Sequence, residues 1–314
     1  MKLSILDAHA LNPGDLSWDG FKAFADVSVY ERTSKNMVTD RIGDSDAILI
    51  NKIKIDKNVI SKCAKLKYIG ILATGYNQVD ITAAKEAGIT VTNIPAYSTM
   101  AVAQHVFALI LHFSNHVALH ANSVKSGEWI SNPDFCYWKA PLTELYGKKL
   151  GIFGYGNIGK QVEKIADAFG MKPLVVPHKH DSSIKNIASL EKMLSESDFI
   201  SLHAPLTKET EKFINRTAIS KMKDGVFIVN TARGGLVDEL HVAEALKSGK
   251  IKGYAADVLE AEPMDKNCTL QKIENCVLTP HIAWASFETR KRLMNIAIEN
   301  FKSWLDGKTQ NSIC

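Results

Sequence analysis

A chain of 314 residues exceeds one average domain and accommodates two. With 46% hydrophobic and 23% charged residues the composition is that of an ordinary soluble protein, and its net charge of +4, from 38 basic and 34 acidic side chains, includes no Lys/Arg run dense enough for a nucleic-acid arm. Five scattered cysteines (Cys63, Cys136, Cys268, Cys276, Cys314) form no Cys-x-x-Cys pair, which argues against a zinc or disulfide framework; with no signal-like or membrane-length apolar run, a cytoplasmic protein is expected.

Short apolar runs alternate with amphipathic segments from the N-terminus onward. "KLSILDA", "AILI", "YIGILA" and "TVTNI" read as buried parallel strands. Between them "DKNVISKCAKL" and "DITAAKEAG" show helical spacing, the latter opening on Asp80 and closing at Gly88. A single long helix is expected from Ser98 to Gly127, apolar nearly all round in its first half and therefore buried. The loop "EWISNPDFCYWKAPLTELYGKK" leads to a second series with strands "LGIFG", "KPLVV", "DFISLH", "GVFIVNTA", "GYAADV" and "CVLTPH", and the helix "SFETRKRLMNIAIENFKSWLDG" ends the chain. This alternation predicts an α/β protein with two doubly wound parallel sheets. The cut falls between 1–98 and 99–283, and the last helix, 284–314, is expected to pack on the first unit because the second already has a complete alternation.

The segment "LGIFGYGNIGKQVEKIADAFG" places Gly154, Gly156 and Gly159 in G-x-G-x-x-G spacing between a strand and a helix. Gly154 allows the tight turn, Gly156 lets a pyrophosphate approach the backbone, and Gly159 lets helix and strand pack closely. The helix N-terminus then offers N–H groups to the phosphates. About 20 residues further on, where an acid ordinarily receives the adenosine ribose hydroxyls, stands Pro177, followed by His178, Lys179 and His180. Nothing there repels a 2′-phosphate, and His178 and Lys179 are candidates to contact one. NADP and NAD both remain open, with NADPH favoured by the missing acid.

Three downstream segments set polar residues at strand ends, where ligands of parallel sheets bind: "IVNTARGGLVDE" (Asn230, Thr231, Arg233), "AADVLEAEP" (Asp257, Glu262) and "LTPHIAWAS" (His281). Arg suits a two-pronged bond to a substrate carboxylate, His a proton transfer to the adjacent oxygen, and Glu the orientation of the imidazole. No cluster asks for a metal. His105, on the long helix, reads as a buried or capping histidine.

"GYGNIG", "LHAPLTKET", "NTARGGLVDE", "AADVLEAEP" and "LTPHIAWAS" together resemble the D-isomer-specific 2-hydroxyacid dehydrogenase family over essentially the whole chain. "YSTMAVAQHVFALIL", "FCYWKAPLTEL" and "PHIAWAS" look most like its glycerate dehydrogenase/hydroxypyruvate reductase branch. The resemblance implies Arg233, Glu262 and His281 as the catalytic set. It implies a flavodoxin-like, discontinuous substrate-binding domain (1–98 plus 284–314) and a Rossmann domain (99–283). "ILATGYNQVD" resembles the family's carboxylate-binding loop, which carries over to Thr74 and Gly75, acting with Arg233 and His281. The matching cofactor positions are Gly154, Tyr155, Gly156, Asn157, Ile158, Gly159, His203, Pro205, Thr210, Thr231, Ala232, Arg233, Asp257 and His281. A homodimer acting on hydroxypyruvate or glyoxylate is the expectation. A bulkier 2-oxo acid, phosphite, and a nucleotide-sensing corepressor without turnover are the alternatives.

Overall fold

A computed structural model describes residues 1–177, 183–308 and 310–314. Two compact units divide the chain, one of Met1–Ser98 with Ala285–Cys314 and the other of Thr99–Trp284. Among the described residues no single helix is long and apolar enough to cross a membrane.

The smaller unit holds a five-stranded sheet of β1 (Lys2–Ile5), β2 (Asp26–Val29), β3 (Ala47–Ile50), β4 (Tyr68–Ile71) and β5 (Thr90–Thr92). All pairings are parallel and the order is β2-β1-β3-β4-β5, the flavodoxin-like arrangement. β3 and β4 are apolar and buried along their whole length, as strands covered on both faces must be. β2 has no counterpart among the expected strands. "DVSV" is an edge strand that remains mostly exposed, so it lacks the apolar run that marks the others. The helix Ile81–Glu86 opens as expected, with Asp80 Oδ1 accepting from Ala83 N–H at 3.0 Å.

The last helix, Phe287–Leu305, belongs to this unit. Phe301 on it is fully buried against Phe21 and Tyr68 at ring distances of 5.9 and 5.5 Å. Arg290 bonds both oxygens of Asp15 at 2.6 Å each, tying the helix to the N-terminal loop. The chain end returns beside β5 through an antiparallel bridge between Thr92 and Ser312.

The larger unit carries a six-stranded parallel sheet of β6 (Lys149–Phe153), β7 (Lys172–Val176), β8 (Phe199–Leu202), β9 (Val226–Asn230), β10 (Ile251–Ala256) and β11 (Cys276–Leu278). Its order is β11-β10-β9-β8-β6-β7. Outside β7, Ile187 makes a single parallel bridge to Val175. Counting that bridge as a vestigial third strand gives the Rossmann order 3-2-1-4-5-6 across the switch point between β6 and β8, with β11 added as a seventh strand beyond β10. Separate apolar clusters cover the two faces of the sheet, one centred on Ile200, Ile228 and Leu236, the other on Val106, Ile152 and Val229.

The expected single helix from Ser98 to Gly127 is in fact two, Thr99–Asn115 and Val117–Lys125, bent by 57°. The break sits at His116, whose φ of 48° is left-handed. No Gly or Pro announces it. His116 O accepts from His120 N–H at 3.1 Å, which restarts the helix immediately.

Candidate active site

The glycine loop follows β6 directly. Gly154 has φ 94°, and a Cβ there would lie 2.5 Å from Ala204 N, so only glycine permits this turn beside β8. Its N–H donates to Val176 O at 2.9 Å, which brings the loop to the end of β7 and leaves Pro177 next in line. Gly159 lies under the loop, where a Cβ would come within 2.4 Å of Gly154 O. Gly156 differs: a Cβ there would meet nothing within 4 Å. It caps the helix Asn157–Ala168 and brings no side-chain acceptor to the first turn. Tyr155 turns aside and donates its hydroxyl to Glu163.

The three residues expected to do chemistry all lie in the larger unit. His281 follows β11 and turns through φ 55°, and its Nδ1 is 2.6 Å from Glu262 Oε2. A carboxylate only accepts, so Nδ1 carries the hydrogen and Nε2 is left for a ligand. Glu262 is itself held by Leu259 N–H, which donates to Oε1 at 3.1 Å. Arg233 follows β9 in an exposed loop, its Nη1 donating to Ala232 O at 2.6 Å. Asn230 shapes that loop by donating to Arg233 O and accepting from Ala232 N–H. Gly234 packs against the backbone leading to Glu262 so closely that a Cβ would fall 1.9 Å from the Leu259 carbonyl carbon. The arginine loop and the glutamate loop are thereby fixed to one another.

Asp257 is 1% exposed, and its carboxylate faces the histidine turn, accepting from Thr279 Oγ1 (2.6 Å), Ile282 N–H and Ala283 N–H (2.8 Å each). It organises that turn from behind. Thr210 closes the loop after β8 by donating to Pro205 O at 2.7 Å. His203 hydrogen-bonds Ser201 Oγ at 2.8 Å, and burial pushes its imidazole down to about 3, so it is neutral in any working range.

In the smaller unit Thr74 Oγ1 donates to Ile94 O and Thr74 O accepts from Asn93 Nδ2, both at 2.8 Å. Among the described residues neither Thr74 N–H nor Gly75 N–H has a backbone acceptor. His178 and Lys179 lie outside the described residues.

The sequence from 107 to 283 matches the model of the D-isomer-specific 2-hydroxyacid dehydrogenase, NAD-binding domain. The chain belongs to the D-isomer-specific 2-hydroxyacid dehydrogenase family. It is similar to the hydroxypyruvate reductase of Blautia hydrogenotrophica, with 45% identity over 100% of this chain and 99% of that one. It is also similar to the glycerate dehydrogenase of Methylorubrum extorquens, with 38% identity over 99% and 98%. Among solved structures, an acyclic imino acid reductase (Bsp5) in complex with NADPH and D-Arg superimposes with a TM-score of 0.86 at 31% identity, over the whole of both chains.

As a member of this family the dehydrogenase is an oxidoreductase of CH–OH groups with a nicotinamide cofactor. Its residues fit that group. The open space over Gly156 suits a pyrophosphate, and Thr231 Oγ1, at the end of β9, is buried without a hydrogen-bond partner among the described residues. A buried hydroxyl left unpaired is rare in a folded protein, and a bound ligand is the natural partner. Sequence alone read His105 as a buried or capping histidine and did not single out Thr279 or Gly234, although they lie in the motifs "LTPHIAWAS" and "NTARGGLVDE".

Proposed function

We propose that this dehydrogenase reduces a small 2-oxo acid, hydroxypyruvate or glyoxylate, to the D-2-hydroxy acid. The observation that carries it is the His281–Glu262 pair at 2.6 Å, locked through Gly234 to the loop of Arg233. When bound, the nicotinamide supplies the hydride that arrives at C2 of the substrate. His281, charged, hydrogen-bonds the ketone oxygen through Nε2–H and gives up that proton while Nδ1–H stays on Glu262. The Glu262 carboxylate offsets the imidazolium charge and fixes the plane of the ring. Arg233 grips the substrate carboxylate with its planar fork. The likeness to a hydroxypyruvate reductase at 45% identity supports this substrate class.

For the cofactor we propose NADPH over NADH. Pro177 follows directly on the carbonyl that receives Gly154 N–H, and it brings no carboxylate to oppose a 2′-phosphate. His178 and Lys179 are assigned to that phosphate. Pro205, Thr210, Thr231, Ala232 and Asp257 are assigned to the wall around the rest of the cofactor. Initial rates with hydroxypyruvate, over a range of NADPH and of NADH, test both assignments. The expected result is an NADPH preference that disappears on replacing His178 and Lys179. An NADH preference overturns the phosphate assignment, and no turnover of hydroxypyruvate or glyoxylate overturns the substrate.

We further propose a homodimer in the cytoplasm. The stretch 117–146 exposes Ile130 (90%), Phe135 (89%), Trp138 and Tyr146, an apolar surface that a second copy of the same arm would cover.

A further inference from the structure

Behind the His281 turn runs a chain of hydrogen bonds that the transfer of the proton does not itself use. His105 lies on the Thr99–Asn115 helix, far away in sequence, with Nε2 3.1 Å from Thr279 Oγ1. Thr279 Oγ1 donates to Asp257 Oδ1 at 2.6 Å, and Asp257 accepts from the amides of Ile282 and Ala283. Thr279 O accepts His281 N–H at 3.0 Å. Every residue of the turn from 279 to 283 except Pro280 is therefore tied into one network.

The polarity of the chain follows from counting hydrogens. A hydroxyl has a single proton, and Thr279 directs it to Asp257, which only accepts. Toward His105, Thr279 Oγ1 must then be the acceptor, so His105 Nε2 carries a hydrogen. The series reads His105 Nε2–H to Thr279 Oγ1–H to Asp257, with the two amides donating to the same carboxylate from the far side. The His105 donor selects the one rotamer of Thr279 that points its hydroxyl at Asp257. It thereby fixes the carboxylate on which the histidine turn hangs.

That turn needs such support. A left-handed φ at a residue with a Cβ is unfavourable and persists only where the surroundings over-determine it. If the network slackens, the turn relaxes toward an ordinary φ and the imidazole swings off Glu262.

We infer that His105 and Thr279 are positioning residues for His281, acting through Asp257 to hold its Nδ1 aimed at Glu262. This rests on the assignment of His281 as proton donor made above. Neither residue touches the reacting atoms in this scheme.

The test uses the full-length enzyme and five variants: His105→Leu, His105→Gln, Thr279→Val, Thr279→Ser, and His105→Leu combined with Thr279→Val. With hydroxypyruvate, His105→Leu and Thr279→Val are each expected to lower kcat roughly 10- to 100-fold, the scale of an ångström's misplacement, with the substrate KM changed by less than about 3-fold because Arg233 is untouched. His105→Gln restores a side-chain donor and Thr279→Ser restores the hydroxyl, so both recover most of kcat. The double variant is no slower than the slower single one, since both break the same chain. A wild-type kcat in His105→Leu, equal losses in the Leu and Gln variants, or losses that multiply in the double variant would each overturn the inference.

A second readout does not depend on turnover. The Nδ1 proton of His281, identified in ¹H–¹⁵N spectra by its disappearance in His281→Ala, is expected to be lost or shifted in His105→Leu and retained in His105→Gln. An unmoved resonance in His105→Leu overturns the positioning role. If His281→Ala instead turned over at the wild-type rate, the proton-donor assignment would fall, and the resonance alone would decide whether His105 positions the ring.

Discussion

His281 combines a left-handed backbone with a 2.6 Å bond to Glu262, so its ring is aimed by main chain and side chain together. A group positioned for general acid catalysis contributes about 10²- to 10⁴-fold. His281→Ala is therefore expected to lower kcat by that factor with hydroxypyruvate and NADPH, and unchanged kcat would remove it from the mechanism. Arg233→Ala is expected to raise KM and also to lower kcat, because the carboxylate is then both loosely held and misoriented. His203 bears on stability. Its folded-state pKa, about 3, lies below the ordinary histidine value, so the unfolded chain binds a proton that the folded chain refuses. Stability is full above about pH 6.5 and is lost as pH falls through that value toward 3, by at most about 1.4 kcal/mol per pH unit. Part of the residue still reaches solvent, which makes this an upper limit. Urea unfolding at about pH 7 and about pH 5 should show a smaller loss in His203→Asn than in the wild type, and equal losses would point to another group.

Loops at strand ends do the positioning, and glycine decides how near they come. At Gly234 a Cβ would overlap the Leu259 carbonyl, with no flexible side chain able to yield. Gly234→Ala must push the arginine loop away from the glutamate loop, and kcat/KM is expected to fall by about 10²-fold. Wild-type kinetics in that variant would show that the two loops need not touch. In the smaller unit the last helix is anchored by Phe301, fully buried among Phe21, Tyr68 and Trp304. Phe301→Ala is expected to destabilise by about 3–5 kcal/mol in urea unfolding. A loss below about 1 kcal/mol would mean that the Arg290–Asp15 pair, not the aromatic cluster, holds the helix.

At the scale of the whole molecule the exposed arm is the feature that a lone chain does not explain. Trp129 Nε1 donates to Phe135 O and Ser123 hydrogen-bonds Tyr137, so the arm is ordered against the Val117–Lys125 helix while its large apolar side chains face outward. Sedimentation velocity of the wild type is expected to give a dimer, and Ile130→Glu with Trp138→Glu a monomer. A wild-type monomer at micromolar concentration would leave the arm to another partner.

Much of this was legible in the sequence, for a local reason. β3 and β4 are continuous apolar runs and β8 and β9 nearly so, and an apolar run bounded by turns needs no partner to be read as a buried strand. The glycine spacing and the residue types of Arg233, Glu262 and His281 likewise lie within short motifs. The edge strand β2 was not legible, because exposure removes the apolar signal, nor was the break at His116, where no Gly or Pro stands. Sequence by itself determined the alternation of strands and helices, the glycine loop and the residue types of the candidate site. Only the tertiary structure decided that Glu262 meets His281 across 19 residues and that His105 reaches Thr279 across 174. Hydrophobic periodicity is a property of neighbours along the chain, whereas the partner of a hydrogen bond is chosen by the closing of distant loops.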